Sequence, residues 1–170
     1  MFSLSSLQKG DFYAGIGSRE TPPEIQAVMT DIARSLKGEG IILRSGGAGG
    51  ADTAFEKGAG SLKEIYLPWK GFDGGKSTLY SYNDRHGEIA RRFHPAWHRL
   101  SQGAQKMMIR NSAQIFGLDF LTRSSCVIAW TKDGQASGGT GQAIRIAQAY
   151  GVPVLNLYFQ EIVNELRGLL

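Results

Sequence analysis

The segment after Thr21 carries apolar residues at three- and four-residue intervals, which is the spacing of one face of an α-helix. Thr21 and Glu24 fit a capping box, with Pro22 at the first helical position. Gly38 and Gly40 follow the last apolar position and favour the end of the helix. The apolar face consists of Ile25, Val28, Met29, Ile32, Ala33 and Leu36. This pattern predicts an amphipathic helix that packs on a core.

Short apolar runs between the helical segments predict β-strands. In the run at residues 41–43, apolar and polar residues do not alternate, as expected for a strand that is covered on both faces. The predicted strands are residues 12–16, 41–43, 64–67, 126–130 and 152–157.

Helical patterns recur between these runs, so strands and helices alternate along most of the chain. Further helices are predicted at residues 51–57, 84–93, 100–118, 142–150 and 160–169. Asn111 falls on the apolar face of the helix at 100–118, where its amide needs a hydrogen-bonding partner. The alternation predicts an α/β fold, specifically a Rossmann-like doubly wound, mostly parallel sheet of about five strands with helices on both faces.

The length of 170 residues fits one domain, so we expect residues 1–170 to form a single Rossmann-like domain that binds a nucleotide or nucleic acid. No apolar run reaches the roughly 18 residues of a membrane span, and the N-terminus does not resemble a secretion signal. We therefore expect a cytoplasmic protein without a membrane partner. Cys126 is the only cysteine, and Pro95 interrupts the helical spacing of His94 and His98, so neither a metal site nor a cofactor is expected.

The net charge of +4 is compatible with a polyanionic partner. Basic residues concentrate between Arg85 and Arg110, where Glu88 is the only acidic residue. Several aromatic residues lie in or beside this segment, a mixture found in proteins that bind single-stranded nucleic acid. For any one of these aromatic side chains, packing beneath a long loop at residues 69–85 is the favoured interpretation.

Three glycine-rich turns each lie between a predicted strand and a predicted helix. Glycine lets the backbone approach a ligand closely, and the helix that follows offers unpaired N–H groups to an anion. In a parallel sheet these turns would converge on one edge. The turns contain the candidate ligand-binding residues Gly15, Gly17, Ser18 and Arg19; Ser45, Gly46, Gly47, Ala48, Gly49, Gly50 and Asp52; and Ser137, Gly138, Gly139, Thr140, Gly141 and Gln142.

Each turn also has a simpler interpretation as an ordinary strand-to-helix connection, with Arg19 in solvent and Asp52 as a helix cap. Glu20 occupies the third glycine position of the dinucleotide-binding fingerprint, which disfavours an ordinary NAD site. The spacing from Gly71 to Lys76 does not match a Walker loop. We therefore expect phosphate binding of another kind.

Taken together, the segments GIGSR, SGGAGGADTAFE, MMIRNSAQIFG and SGGTGQAIRIAQAYGVPVLNL resemble the SLOG superfamily. This superfamily joins the DNA-processing protein A (Smf/DprA) proteins with the lonely-guy (LOG) phosphoribohydrolases. The resemblance implies a Rossmann-like fold. It also implies either single-stranded DNA binding with recombinase loading, or cleavage of the N-glycosidic bond of nucleoside monophosphates. Arg110 and Asn111 are similar to the Arg-Asn start of a family helix.

The LOG hydrolase motif, Gly-Gly-x-Gly-Thr-x-x-Glu, is only partly present. Gln142 stands at the position of its threonine and Arg145 at that of its catalytic glutamate. A guanidinium cannot act as a base or stabilise oxocarbenium charge there. No catalytic residue is assigned, although Asp52, Glu56 or Asp133 could substitute.

Our hypothesis is a nucleotide-phosphate-binding protein of this type that binds single-stranded DNA in DNA processing or recombination. The three turns, together with Arg110 and Asn111, would form the site. Arg19 and Arg110 would neutralise phosphate, and Asn111 would fix the ribose or base. The alternatives are a nucleoside monophosphate N-glycosidase and a sensor of a nucleotide-derived signal. A homodimer is expected by analogy with the fold.

Overall fold

Five parallel strands form the central sheet in the computed structural model, which describes residues 2–170. The strands are β1 (Phe12–Gly17), β2 (Ile42–Ser45), β3 (Lys63–Ile65), β4 (Cys126–Trp130) and β5 (Val154–Asn156). Their order across the sheet is β3-β2-β1-β4-β5. The Rossmann-like α/β fold that the sequence predicts is confirmed.

Within residues 2–170, six α-helices connect or flank the strands. They are α1 (Pro23–Gly38), α2 (Ala51–Ala59), α3 (Asp84–Arg92), α4 (Gln102–Phe116), α5 (Gly138–Ala149) and α6 (Gln160–Arg167). No helix within residues 2–170 is both long and apolar enough to cross a membrane.

Side chains of β1 and β4 alternate between two cores, one on each face of the sheet. Tyr13 and Ile128 belong to the core beneath α1, α2 and α6. Ile16 and Val127 belong to the core beneath α4 and α5. All five residues of β4 are buried, which explains why this run is apolar without alternation.

The structure corrects some predicted details near the helix ends. The residue before α1 is Pro22 rather than Thr21, and the Thr21 hydroxyl donates to the Ser18 carbonyl instead of capping the helix. Helix α5 begins at Gly138, four residues before the predicted start at Gln142, so most of the third glycine turn is helical. Leu118 lies beyond α4 and is exposed, because Gly117 ends this helix with a positive φ.

The strand order determines where a ligand can enter. Strand β1 pairs with β2 on one side and with β4 on the other, so the connections leave β1 and β4 in opposite directions. A crevice opens at the carboxyl ends of two such strands, and open α/β sheets bind ligands there. Gly17 ends β1 at this point, and a Cβ atom added to it would lie only 2.6 Å from the Ala51 Cβ atom. Glycine therefore lets β1 and α2 meet closely at the crevice.

Candidate functional site

A cleft of about 430 Å³ occupies this crevice. The ends of β1 and β4, the N-terminal turns of α2 and α5, and the middle of α4 form its walls. Its lining comprises Ile16, Gly17, Ser18, Arg19, Glu20, Ala48, Asp52, Met107, Met108, Arg110, Asn111, Gln114, Thr131, Lys132, Ser137, Gly138, Gly139, Thr140 and Ala143.

The structure brings parts of all three glycine turns into this one lining, together with α4. The candidate residues in the lining are Gly17, Ser18, Arg19, Ala48, Asp52, Arg110, Asn111, Ser137, Gly138, Gly139 and Thr140. The candidate residues outside the lining are Gly15, Ser45, Gly46, Gly47, Gly49, Gly50, Gly141 and Gln142.

The residues outside the lining support the walls of the cleft. The Ser45 hydroxyl donates to the Gly15 carbonyl at 2.6 Å and joins β2 to β1. Gly46 leaves space for the Arg110 guanidinium, with which a Cβ atom at this position would collide. A Cβ atom on Gly50 would meet the Ser18 carbonyl oxygen at 2.8 Å. Close packing of backbone and side chains, rather than ligand contact, explains glycine at these two positions.

The N-terminus of α5 is open toward the cleft. Its cap residue, Ser137, makes no capping hydrogen bond to the helix, because the Ser137 hydroxyl contacts Asp133 at 2.8 Å. Within residues 2–170, the backbone N–H groups of Gly138, Gly139 and Thr140 have no protein acceptor. These groups and the positive end of the helix dipole are suited to an anion.

Asp52 contributes a buried carboxyl group to the cleft. Its side chain accepts a hydrogen bond from the Ala48 N–H at 3.2 Å. Burial raises the pKa of Asp52 from its ordinary 3.8 to about 6, although the charge of Arg110 opposes this rise. Asp52 is therefore mainly ionised at neutral pH and mainly neutral in mild acid.

Arg110 is 5% exposed and lies across the floor of the cleft. Its Nη1 atom donates to the carbonyls of Gly46 and, at 3.3 Å, of Tyr66. Its Nε atom donates to the Asn111 side-chain oxygen at 3.1 Å. Burial lowers the pKa of Arg110, while the charge of Asp52 favours the protonated form. Much of the hydrogen-bonding capacity of Arg110 therefore stabilises the fold.

Asn111 joins α4 to the first turn of α5. Its amide nitrogen donates to the Gly139 carbonyl at 3.1 Å and to the Gln142 side-chain oxygen at 3.0 Å. Gln142 in turn donates to the Ala90 carbonyl of α3 at 3.1 Å. The partner that the amide on an apolar face requires is thus provided by the fold. Asn111 and Gln142 hold the α5 N-terminus in position.

Arg19 is an exposed cation at the mouth of the cleft. Its guanidinium forms an ion pair with Asp73 at 2.7 Å and lies 5.6 Å from the centre of the Phe72 ring. Phe72 is buried and also lies 5.8 Å from the Arg110 guanidinium. The loop after β3 therefore packs beside the cleft, whereas Lys76 of the same loop lies outside the lining.

The basic segment between Arg85 and Arg99 does not line the cleft in the part of the chain that the structure describes. Phe93, in the middle of this segment, nevertheless lies close to the entrance to α5. Arg145 links the two, because its guanidinium donates to the Phe93 carbonyl at 3.1 Å and to the Ala136 carbonyl at 2.8 Å. Arg145 therefore lies behind the wall that α5 forms in the cleft, and it holds α3 against the segment that enters α5.

Sequence reasoning missed several residues of the lining. They are Ile16, Glu20, Met107, Met108, Gln114, Thr131, Lys132 and Ala143. Helical spacing could have indicated Gln114, since it lies one turn after Arg110 and Asn111. Thr131 and Lys132 directly follow β4, and this position alone places them at the edge of the sheet where ligands bind.

The chain matches no protein-family model and no curated protein. Among solved structures, it is similar to DNA processing protein A from Helicobacter pylori, a single-stranded DNA-binding protein, with a TM-score of 0.52 and 20% sequence identity. The match covers 87% of this chain and 65% of that protein. At this identity the likeness shows a shared fold.

Proposed function

We propose that the cleft binds phosphate groups of nucleic acid and that single-stranded DNA is its ligand. The observation that carries this proposal is the open N-terminus of α5, where three residues that line the cleft have backbone N–H groups with no acceptor among residues 2–170. A phosphate oxygen accepts hydrogen bonds from such groups, and the helix dipole adds to the attraction.

Cationic side chains around the α5 N-terminus favour the binding of a phosphate group over that of a neutral ligand. Arg19 and Lys132 line the cleft from the ends of β1 and β4, and both are exposed to solvent. Arg110 adds a buried positive charge at the floor. Asp52 and Glu20 also line the cleft, Asp73 pairs with Arg19, and Asp133 contacts the Ser137 hydroxyl. The open helix terminus and the cations must together outweigh these carboxylates.

The surface beyond the cleft favours a strand over a free mononucleotide. Arg91 and Arg92 are exposed at the end of α3, which Arg145 holds beside the segment that enters α5. A chain of phosphates that leaves the α5 N-terminus in this direction would meet further positive charge. The similar protein from Helicobacter pylori binds single-stranded DNA, which agrees with a strand as the ligand.

The finer parts of the hypothesis rest on the sequence and on analogy with the fold. Membership of the SLOG superfamily, a role in DNA recombination, a cytoplasmic location and a homodimer stay predictions. The assignment of the cleft residues as ligand-binding residues is likewise a proposal.

The salt dependence of binding to a fluorescent oligonucleotide tests the proposal. If about three phosphates are neutralised, the logarithm of the association constant should fall with the logarithm of salt concentration with a slope of about −2. Fluorescence anisotropy measures this slope. A nucleoside without phosphate serves as the control and should not compete. Absence of binding even at low salt, or a slope near zero, would overturn the proposal.

A further inference from the structure

Gln114 places a polar side chain in the floor of the cleft, where the fold gives its amide oxygen no partner. The residue is 2% exposed and lies one helical turn after Arg110 on α4. Within residues 2–170, no donor contacts its side-chain oxygen. Buried polar atoms are nearly always hydrogen-bonded, and an unpaired one carries a desolvation cost. An apolar residue would fill this position without that cost, so the amide points to a ligand.

Two other polar groups lie in the same cleft. A Cβ atom on Gly46 would collide with both the Arg110 guanidinium and the Gln114 amide, so these two side chains converge on the same glycine. Asp52 lines the same cleft, and its charge interacts with that of Arg110. The floor therefore combines an amide, a guanidinium and a carboxylate. This set contains both hydrogen-bond donors and acceptors, which differs from a site for phosphate alone.

The wall beside this floor is apolar. Met107 and Met108 line the cleft from α4, and Ile16 and Ala143 line it from β1 and α5. Thioether groups pack favourably against aromatic rings. A flat ring with a polar edge fits this combination of an apolar wall and a polar floor.

We propose that the floor of the cleft binds one nucleobase that carries an amino group, and that the Gln114 amide recognises its hydrogen-bonding edge. This inference rests on the proposed function, because the base would belong to the nucleotide whose phosphate lies at the α5 N-terminus. The amino group donates to the amide oxygen. Asp52 accepts the second amino hydrogen.

Rotation of the amide allows this pairing. The last torsion of a glutamine side chain is broad and roughly two-fold, so a half-turn exchanges the positions of oxygen and nitrogen. The oxygen that has no partner in the protein can thus turn to the cleft when a ligand supplies a donor. Uracil and thymine carry a carbonyl oxygen at the position of the cytosine amino group, and this oxygen cannot donate to the Gln114 oxygen or to Asp52.

Oligonucleotides of deoxycytidine and deoxyuridine test the inference, because the two bases differ only in the amino-bearing edge. At neutral pH and low salt, we expect the wild-type protein to bind the cytosine strand at least about fivefold more tightly. The variant Gln114→Met should lose most of this preference, because of the two contacts to the amino group only the one with Asp52 remains. Its thermal midpoint should be equal or higher, since the unpaired amide is removed. Gln102→Leu, an exposed position on the same helix, should retain the preference.

Each outcome separates this inference from the proposed function. Equal affinity of the wild-type protein for both strands, with a normal salt slope, would overturn base recognition and leave phosphate binding intact. A preference of undiminished size in Gln114→Met would also overturn the assignment. If neither strand binds, both proposals fail. The wild-type comparison needs no variant, so it decides the matter even if Gln114→Met does not fold.

Discussion

Replacement of Arg110 by methionine is expected to lower the free energy of unfolding by about 3 to 5 kcal/mol at neutral pH. The guanidinium donates to the carbonyls of Gly46 and Tyr66 and to the side chain of Asn111. Its loss leaves those acceptors without this donor and leaves the buried Asp52 carboxylate without its main positive neighbour. Urea denaturation measures the change. Methionine keeps most of the side-chain length, so lost charge and hydrogen bonds dominate the effect.

The loss of unfolding free energy in Arg110→Met should depend on pH, because it depends on the charge of Asp52. The folded-state pKa of Asp52 is raised, so its contribution to stability is complete below its ordinary pKa of 3.8 and is lost as pH rises through about 6. Without Arg110 that pKa rises further. The loss of unfolding free energy should therefore be largest above neutral pH, where Asp52 is charged, and smaller in mild acid.

A second substitution provides the control for this interpretation. Adding Asp52→Asn to Arg110→Met should restore at least about 1 kcal/mol at neutral pH, because the uncompensated charge is then absent. If the loss of unfolding free energy neither changes with pH nor becomes smaller with Asp52→Asn, Arg110 and Asp52 are not electrostatically coupled.

Thr140→Asp is expected to lower oligonucleotide affinity at least tenfold, or about 1.4 kcal/mol, without loss of stability. Thr140 is the third residue of α5 and lines the cleft. A carboxylate there competes for the open N–H groups and repels phosphate. The same carboxylate favours the positive end of the helix dipole, so the thermal midpoint should stay level or rise. Anisotropy and thermal denaturation separate the two effects.

Thr140→Asn is the matched control, because asparagine has nearly the shape of aspartate but no charge. Its affinity should remain within about threefold of that of the wild-type protein, since phosphate repulsion requires the charge. If both variants lose affinity equally, the loss comes from shape and not from charge. If Thr140→Asp binds normally, phosphate does not occupy the α5 N-terminus.

The sheet could be predicted from the sequence because its strands are unusually clear. The run Cys126–Trp130 is apolar throughout, and it is buried on both faces in the structure. The capping box at Thr21 was wrong because the hydroxyl bonds to the Ser18 carbonyl, a contact between loop residues that no helix pattern reveals. The early start of α5 was missed because glycines at residues 138 and 139 disfavour a helix by propensity, whereas tertiary contacts such as Asn111 to Gly139 support it.

The cleft could be predicted only in part, because glycine has more than one role in this protein. Glycine is required both where a ligand approaches and where protein groups pack closely, and the sequence does not distinguish these causes. Gly46 accommodates Arg110, whereas Gly139 lines the cleft. Gln114 was missed because its significance lies in an unpaired oxygen, which only the three-dimensional surroundings show.

Chemical shifts of the backbone amides test the central claim most directly. A titration of labelled protein with a short single strand, followed by amide correlation spectra, should produce its largest shifts at Gly138, Gly139 and Thr140. These are the amides that a bound phosphate would contact at the open terminus of α5. Binding with shifts confined to the basic segment between Arg85 and Arg99, or no shifts at all, would contradict the claim that this helix terminus holds the phosphate.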